Sequence, residues 1–208
     1  MRLKLLSAAE SEPLSLLEAA QQLRLADDEA QADQLPDKAL IEGIIAAARE
    51  AVEHESGCQL LPAVYELVGE ALPETVVLPK SPFIRVEGIE YFDGTGQTTL
   101  PKEQYSIVEG AEPMVLHLQR PADMLAKANS ARIRFAAGYG KEVTDGETTR
   151  IVPAVPASAK TAMKLLVTHL YENREAVLVG STSLIGTELP MGVQFYINPL
   201  RVYYRTCE

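Results

Sequence analysis

Val155-Pro156-Ala157-Ser158-Ala159-Lys160-Thr161-Ala162-Met163-Lys164-Leu165-Leu166-Val167-Thr168-His169-Leu170-Tyr171-Glu172-Asn173-Arg174-Glu175 is the stretch on which the fold turns. Apolar residues recur at Ala159, Ala162, Met163, Leu166, Val167 and Leu170, a spacing that predicts a helix with one apolar face. Pro156 suits its opening turn, where a backbone N–H has no intrahelical partner to lose. A polar cluster, Tyr171 to Glu175, closes it. Its counterpart lies far earlier in the chain. Pro36 and Asp37 open a second helix, the carboxylate favouring the positive end of the helix dipole. Leu40, Ile41, Ile44, Ile45, Ala48 and Val52 form its apolar stripe, with Glu42, Arg49, Glu50 and Glu53 mostly off that stripe. Gly57 predicts a left-handed C-cap, and about 20 residues rising ~1.5 Å each make a rod of about 30 Å.

Working outward, Leu14, Leu16, Leu17, Ala20 and Leu23 predict a shorter helix before the rod. Ser15 is its N-cap, and Glu18 completes a capping box. Asp27-Asp28-Glu29 through Gln34 is read as a polar loop. Between the helical blocks the rhythm changes to alternation, with strand candidates at 63–68, 75–78, 84–92, 98–100, 105–108, 114–118 and 131–136. Asp93-Gly94 signals a tight turn. Frequent prolines (Pro73, Pro79, Pro82, Pro101, Pro113, Pro121) suit short strands rather than a parallel sheet. Gly138 to Arg150, polar and rich in Gly and Thr, is expected to be a surface loop, and Val177 to Pro190 an extended arm. The final segment, Gly192 to Cys207, is aromatic and partly basic. Two readings stand for it: it folds back on its own core, or it docks on another chain. The expected fold class is therefore α+β. The N- and C-terminal helices (1–61 plus 154–208) form a small antiparallel core with a C-terminal arm, around a β-rich insertion (62–153).

The composition, 47% hydrophobic with a mean hydropathy of −0.01, belongs to a packed soluble chain. Charges interrupt every apolar run short of a membrane span, and Ser7 to Glu12 turns polar before a signal-peptide core can form. Two cysteines, Cys58 and Cys207, make no disulfide framework and fit a reducing compartment. With 19 Lys and Arg against 29 Asp and Glu, a net charge of −10 argues against a protein that grips DNA.

Chemistry-bearing motifs are weak throughout. His54 and Cys58 have metal-ligand spacing, but Gly57 ends the helix between them and no second pair follows. His117 and His169 lie in unrelated segments. Gly138-Tyr139-Gly140-Lys141 lacks the Ser or Thr and the following helix of a phosphate loop, so a strand-exit turn is the better account. Gly180-Ser181-Thr182-Ser183 lacks the spacing of a nucleophile elbow. Asp27, Asp28 and Glu29 lack the glycine and alternation of a calcium loop. No nucleophile, base and orienting group can be named together. The expectation is a protein without catalytic residues, metal or cofactor.

The order of elements does resemble a known family. Leu14-Ser15-Leu16-Leu17-Glu18-Ala19-Ala20 with Leu23-Arg24-Leu25, an acidic loop, and Leu40 to Gly57 resemble the N-terminal part of tailed-phage head–tail connector proteins, the adaptor subunits of the HK97-type connector family. Later pieces follow in the family's order: Arg132 to Tyr139, Val155-Pro156, Leu170 to Glu175, Leu189-Pro190 with Gly192-Val193, and Pro199-Leu200-Arg201. The resemblance implies a structural virion protein of the neck, made in the host cytoplasm. It implies a ring beneath the portal, a dodecamer if it follows the family's portal, that joins the DNA-filled head to stopper or tail-completion proteins. Packaged DNA would pass through the acidic lumen without specific binding.

Within that frame two sets of residues are candidates. Phe195, Tyr196, Arg201, Tyr203, Tyr204 and Arg205 carry the side-chain types that anchor interfaces and form the candidate portal contact. Glu42, Arg49, Glu50 and Glu53 on one helix, with Lys160, Lys164 and Arg174 on the other, offer complementary charge between subunits, although exposed charges at helical spacing also describe an ordinary solvated face. The rivals are a stopper or tail-completion subunit, and a binding module or enzyme built on the β-rich block.

Overall fold

The N-terminal residues, expected to belong with the helices, form a strand instead. In the computed structural model of the chain, which describes residues 1–9, 11–108, 110–119, 130–145, 148–173 and 191–203, Arg2–Ser7 is strand β1 and pairs antiparallel with β2 (Ala63–Gly69). The chain divides into two units. A β unit holds Met1–Glu10, Gly57–Ala154 and Val202–Glu208, and a helical unit holds Ser11–Ser56 and Val155–Arg201. The fold class is α+β.

In the β unit the remaining strands are β3 (Thr75–Val77), β4 (Phe83–Phe92), β5 (Gln97–Thr99), β6 (Tyr105–Ile107), β7 (Val115–Leu118), β8 (Ala131–Ala137), β9 (Gly140–Asp145) and β10 (Thr148–Pro153). A five-stranded sheet runs β1-β2-β8-β4-β5, a three-stranded sheet runs β3-β7-β6, and β9 pairs with β10. Every strand pairing among the described residues is antiparallel, which the proline-punctuated sequence anticipates. Alternation places Tyr65, Leu67, Ile89, Ile133 and Phe135 on one face of the larger sheet. There they share a core with Val76, Leu116 and Leu118 of the smaller sheet and with Leu72, Leu78 and Leu100. The Asp93-Gly94 turn joins β4 to β5. Its Asp93 carboxylate accepts from the backbone N–H of Thr95 and Gly96 and from the hydroxyls of Thr95 and Thr98. Those donors hold the Asp93 carboxyl well below the usual carboxylate range.

Gly138 to Arg150 is not a loop. It contributes β9 and the first half of β10, with Thr144 and Thr149 opposite each other and their hydroxyls 3.2 Å apart. The polar composition hid the strand signal, because β-branched threonines satisfy the strand geometry without supplying hydrophobic alternation.

The helical unit comprises α1 (Leu16–Gln22), α2 (Glu29–Asp33), α3 (Lys38–Ser56), α4 (Ala157–Glu172) and α5 (Met191–Ile197), with a 3₁₀ turn at Asn198–Leu200. The capping box at the head of α1 is complete. Glu18 N donates to Ser15 Oγ at 3.1 Å, and Ser15 N donates to Glu18 Oε2 at 3.0 Å. Ser15→Ala is therefore expected to lower the stability of the helical unit by about 1 kcal/mol, measured as a shift of the urea midpoint. An unchanged midpoint would show that α1 is held by packing alone.

The acidic stretch after α1 also departs from the loop reading, since Asp28 caps α2 by accepting from Gln31 N at 2.8 Å. Buried Ala32 then packs with Ala20 and Ala26. Alanines and a five-residue helix give too little periodicity to be seen in sequence. On α3 the buried stripe is Ile41, Ile44, Ile45, Ala48 and Val52, and on α4 it is Ala159, Ala162, Met163, Leu166 and Val167. Leu40 and Leu170, assigned to these stripes from sequence, are exposed. Gly57 follows α3 with φ 71°, the left-handed cap its residue type predicts.

Candidate assembly surfaces

The charges proposed from sequence to face a neighbouring subunit are largely engaged within the helical unit. Glu18 of α1 sits 3.3 Å from Lys160 Nζ and 4.0 Å from Lys164 Nζ, so both α4 lysines lean on a carboxylate of α1. Burial alone would push the Glu18 carboxyl up. The Ser15 N–H and the two lysines outweigh burial, and the net shift is downward. The stabilisation it contributes is present above the ordinary carboxylate range and is lost as pH falls through the lowered value.

Arg49 of α3 is held by Glu12 at 2.8 Å, by Glu53 one turn on at 3.0 Å and by Glu50 at 3.5 Å. Its partial burial disfavours the cation, but Glu53 and Glu12 more than compensate and raise its pKa. Glu42 lies 4.0 Å from Lys38, which is closer to Asp33 at 2.8 Å. Of the α3 set, Glu42 and Glu50 remain the most exposed, with 53% and 72% of their side chains accessible. Arg174 lies outside the described residues.

The C-terminal segment, read from sequence as either folding back on its own core or docking on another chain, forms the short helix α5. Val193 and Ile197 are buried, and α5 packs on α4 and α3. Arg201 ties the following turn to the end of α3. Its Nε donates to the Glu55 carbonyl oxygen at 3.2 Å, and its terminal nitrogen meets the Glu55 carboxylate at 2.9 Å. A cation on a last-turn carbonyl satisfies an otherwise orphaned acceptor and opposes the negative end of the helix dipole. Thus residues 191–201 follow the reading in which the segment folds back on its own unit. Two large aromatics nevertheless stay in water: Phe195 is 72% exposed, against Tyr196 at 5.4 Å between ring centroids, and Tyr203 is 75% exposed. Tyr204, Arg205 and the arm assigned to Val177–Pro190 lie outside the described residues.

The residues that suggested catalysis are dispersed. His54 is exposed near the end of α3, His169 near the end of α4, and His117 on β7, where its Nδ1 lies 3.2 Å from Thr75 Oγ1. Cys58 is buried and accepts from Tyr139 Oη at 3.7 Å, and burial, with this thiol beside it, pushes the Tyr139 phenol up. Among the described residues no group of three or more His, Cys, Asp or Glu is placed to hold a metal ion. No described helix is long and apolar enough to cross a membrane.

Sequence reasoning missed a charged surface on the five-stranded sheet, opposite the face that enters the core. Register places Arg2, Val68, Arg132 and Glu90 in one row across β1, β2, β8 and β4, and Lys4, Glu66, Arg134 and Gly88 in the next. Arg134 Nε donates to Glu66 at 3.0 Å, and its guanidinium lies 3.3 Å from Glu90. The Nε of Arg132 is buried without a hydrogen-bond acceptor among the described residues. The alternation Arg2-Leu3-Lys4-Leu5 was the available signal, and it is too short to stand out at a chain end.

No protein-family model matches the sequence, and no curated protein matches it. Among solved structures, the chain is similar to a chain in the neck of an empty gene transfer agent particle computed with C6 symmetry. The identity is 22% and the TM-score 0.70, over 100% of this chain and 99% of that one. It is similar at 20% identity and TM-score 0.67 to a chain in the virion of the native gene transfer agent particle, again over 100% and 99%. A chain in the neck of the native particle, computed with C12 symmetry, gives 21% identity and a TM-score of 0.65 over the same shares. At these identities the likeness shows the fold: both units of this α+β chain have their counterpart, end to end, in those chains.

Proposed function

We propose that the chain is a structural neck protein of a phage-like particle. It acts as a head–tail connector adaptor that assembles as a homo-oligomeric ring under the portal and receives stopper or tail-completion proteins on its other side. The single observation that carries this reading is the end-to-end similarity to neck chains, over 100% of this chain and 99% of theirs. The work of such a subunit is binding, without a cofactor and without catalysis. Its net charge of −10 suits a ring through which DNA passes without adhering.

Phe195 and Tyr203 are the candidate anchors toward the portal, because exposed aromatics of this size are the side chains that become buried at interface centres. Truncating the C-terminal segment would be a poor test, since it removes buried Val193 and Ile197. The better variant is Phe195→Ala/Tyr203→Ala, which alters only exposed side chains. Portal protein from the same particle is expected to be captured by the wild-type chain. The double variant is expected to weaken capture by about tenfold or more, as loss of an aromatic anchor does. Capture of tail-completion protein but not portal by the wild-type chain would favour the stopper reading.

A further inference from the structure

The rows Arg2–Val68–Arg132–Glu90 and Lys4–Glu66–Arg134–Gly88 bring four cations and two carboxylates onto one sheet face of an otherwise acidic protein. Both carboxylates are committed to Arg134, and Glu66 is only 6% exposed. Among the described residues, Arg2 and Lys4 lie exposed on the edge strand and form no ion pair, and the buried Arg132 Nε has no acceptor. A buried donor without a partner is unfavourable, and an acceptor carried by a docking chain would satisfy it. The same edge exposes Leu5 and Leu6. An unpaired edge strand carrying both apolar and cationic side chains is a surface that proteins normally cover or pair.

The helical unit has the opposite character. It holds 14 Asp and Glu against 7 Lys and Arg, whereas the β unit holds 15 against 12. Its acidic turn at Asp27 and Glu29 is exposed and forms no ion pair among the described residues, unlike Asp33, which is paired with Lys38. A head-to-tail ring requires two different, mutually complementary patches on every copy.

We infer that the basic outer face of the five-stranded sheet, centred on Arg2, Lys4 and Arg132, docks the acidic Asp27–Glu29 turn of a second copy of this chain. The inference rests on the ring reading above and specifies the contact from which such a ring is built. Its signature is heterologous: each copy offers its sheet to one neighbour and its acidic turn to the other.

Charge exchange tests it. The sheet variant is Arg2→Glu/Lys4→Glu, both exposed. The turn variant is Asp27→Lys/Glu29→Lys, which spares Asp28 because that side chain caps α2. Self-association of the full chain is followed by sedimentation velocity. The wild type is expected to associate at low salt and to weaken by about tenfold between about 50 and 500 mM NaCl, as screened charge contacts do. Each variant alone should associate at least about tenfold less tightly than the wild type. An equimolar mixture should regain assembly, because a reversed sheet then meets a reversed turn and a native sheet meets a native turn in alternation. Arg132→Met, which removes the unpaired donor without adding charge, should weaken association while leaving the monomer's melting temperature unchanged or raised.

Variants that associate like the wild type would overturn the contact, as would a mixture no better than its parts. Aggregation of the sheet variant without loss of specific assembly would assign Arg2 and Lys4 to edge protection and equally overturn it. A wild-type chain that stays monomeric at low salt also overturns it. Portal capture by that same chain would leave the neck reading standing, so the two failures are distinguishable.

Discussion

Phe135→Ala is expected to lower the stability of the β unit by about 3–5 kcal/mol, the range for removing a large aromatic from a packed core. Phe135 lies on β8, the strand paired on both sides by β2 and β4, and its side chain is 0% exposed. Its ring stacks on Tyr65 at 5.7 Å between centroids with an interplanar angle of 27°. Tyr65 is itself fixed, its hydroxyl 2.6 Å from Gln59 Oε1 and its ring beneath the Lys80 ammonium at 5.5 Å. Truncation therefore opens a cavity whose walls are held by two sheets and cannot collapse into it. Measured by urea denaturation, a loss of this size approaches the whole stability of a typical domain. A loss below about 1 kcal/mol would mean that the core relaxes around the cavity, contrary to the packing described.

Gly138→Ala should be nearly as damaging, for a backbone reason. Gly138 links β8 to β9 with φ 131°, a conformation that side chains resist. An added Cβ would run into the carbonyl oxygen of Leu61 and would lie 2.6 Å from the Leu61 carbonyl carbon and 2.8 Å from Pro62 Cα. These are main-chain atoms that cannot rotate aside. The Gly138 N–H is meanwhile held to the Pro82 carbonyl at 2.8 Å, so the turn cannot simply swing away. Strain and clash together predict a loss of about 3 kcal/mol or more. The matched control is Gly43→Ala in the interior of α3, where an added Cβ meets nothing within 4 Å. That change should stabilise by about 1 kcal/mol through helix propensity. Melting curves that move the same way for both glycines would refute the assignment of the Gly138 conformation.

These two positions differ in how far the sequence reveals them. The pattern Ala131 to Ala136 marks Phe135 as a strand residue, because alternation is a local property. Gly138 reads only as part of a strand-exit turn. That Leu61 and Pro62 crowd it is a consequence of β2 pairing with β8 across a long separation in sequence. The candidate surfaces divide the same way. Glu42, Arg49, Glu50, Glu53, Lys160 and Lys164 are legible as charges off the apolar stripes of two helices. That Glu18 and Glu12 would claim the cations depends on how α1 and the chain before it pack on α3 and α4.

What the sequence determined by itself were the features written within a few residues of each other. The capping box Ser15–Glu18, the apolar stripes of α3 and α4, the left-handed Gly57, the Asp93-Gly94 turn and most of the alternating strands all depend on short-range periodicity and capping chemistry. The tertiary structure alone decided what Arg2–Ser7 and Met191–Ile197 become. Arg2–Ser7 becomes an edge strand because β2 offers it a ladder, and α5 becomes a helix because Val193 and Ile197 find an apolar surface to enter. It alone decided that Arg2, Lys4, Arg132 and Arg134 share a face, since cross-strand rows are set by register between distant segments. Neither segment has enough apolar periodicity to announce its structure. Each is stabilised by a partner surface that exists only once the rest of its unit has folded.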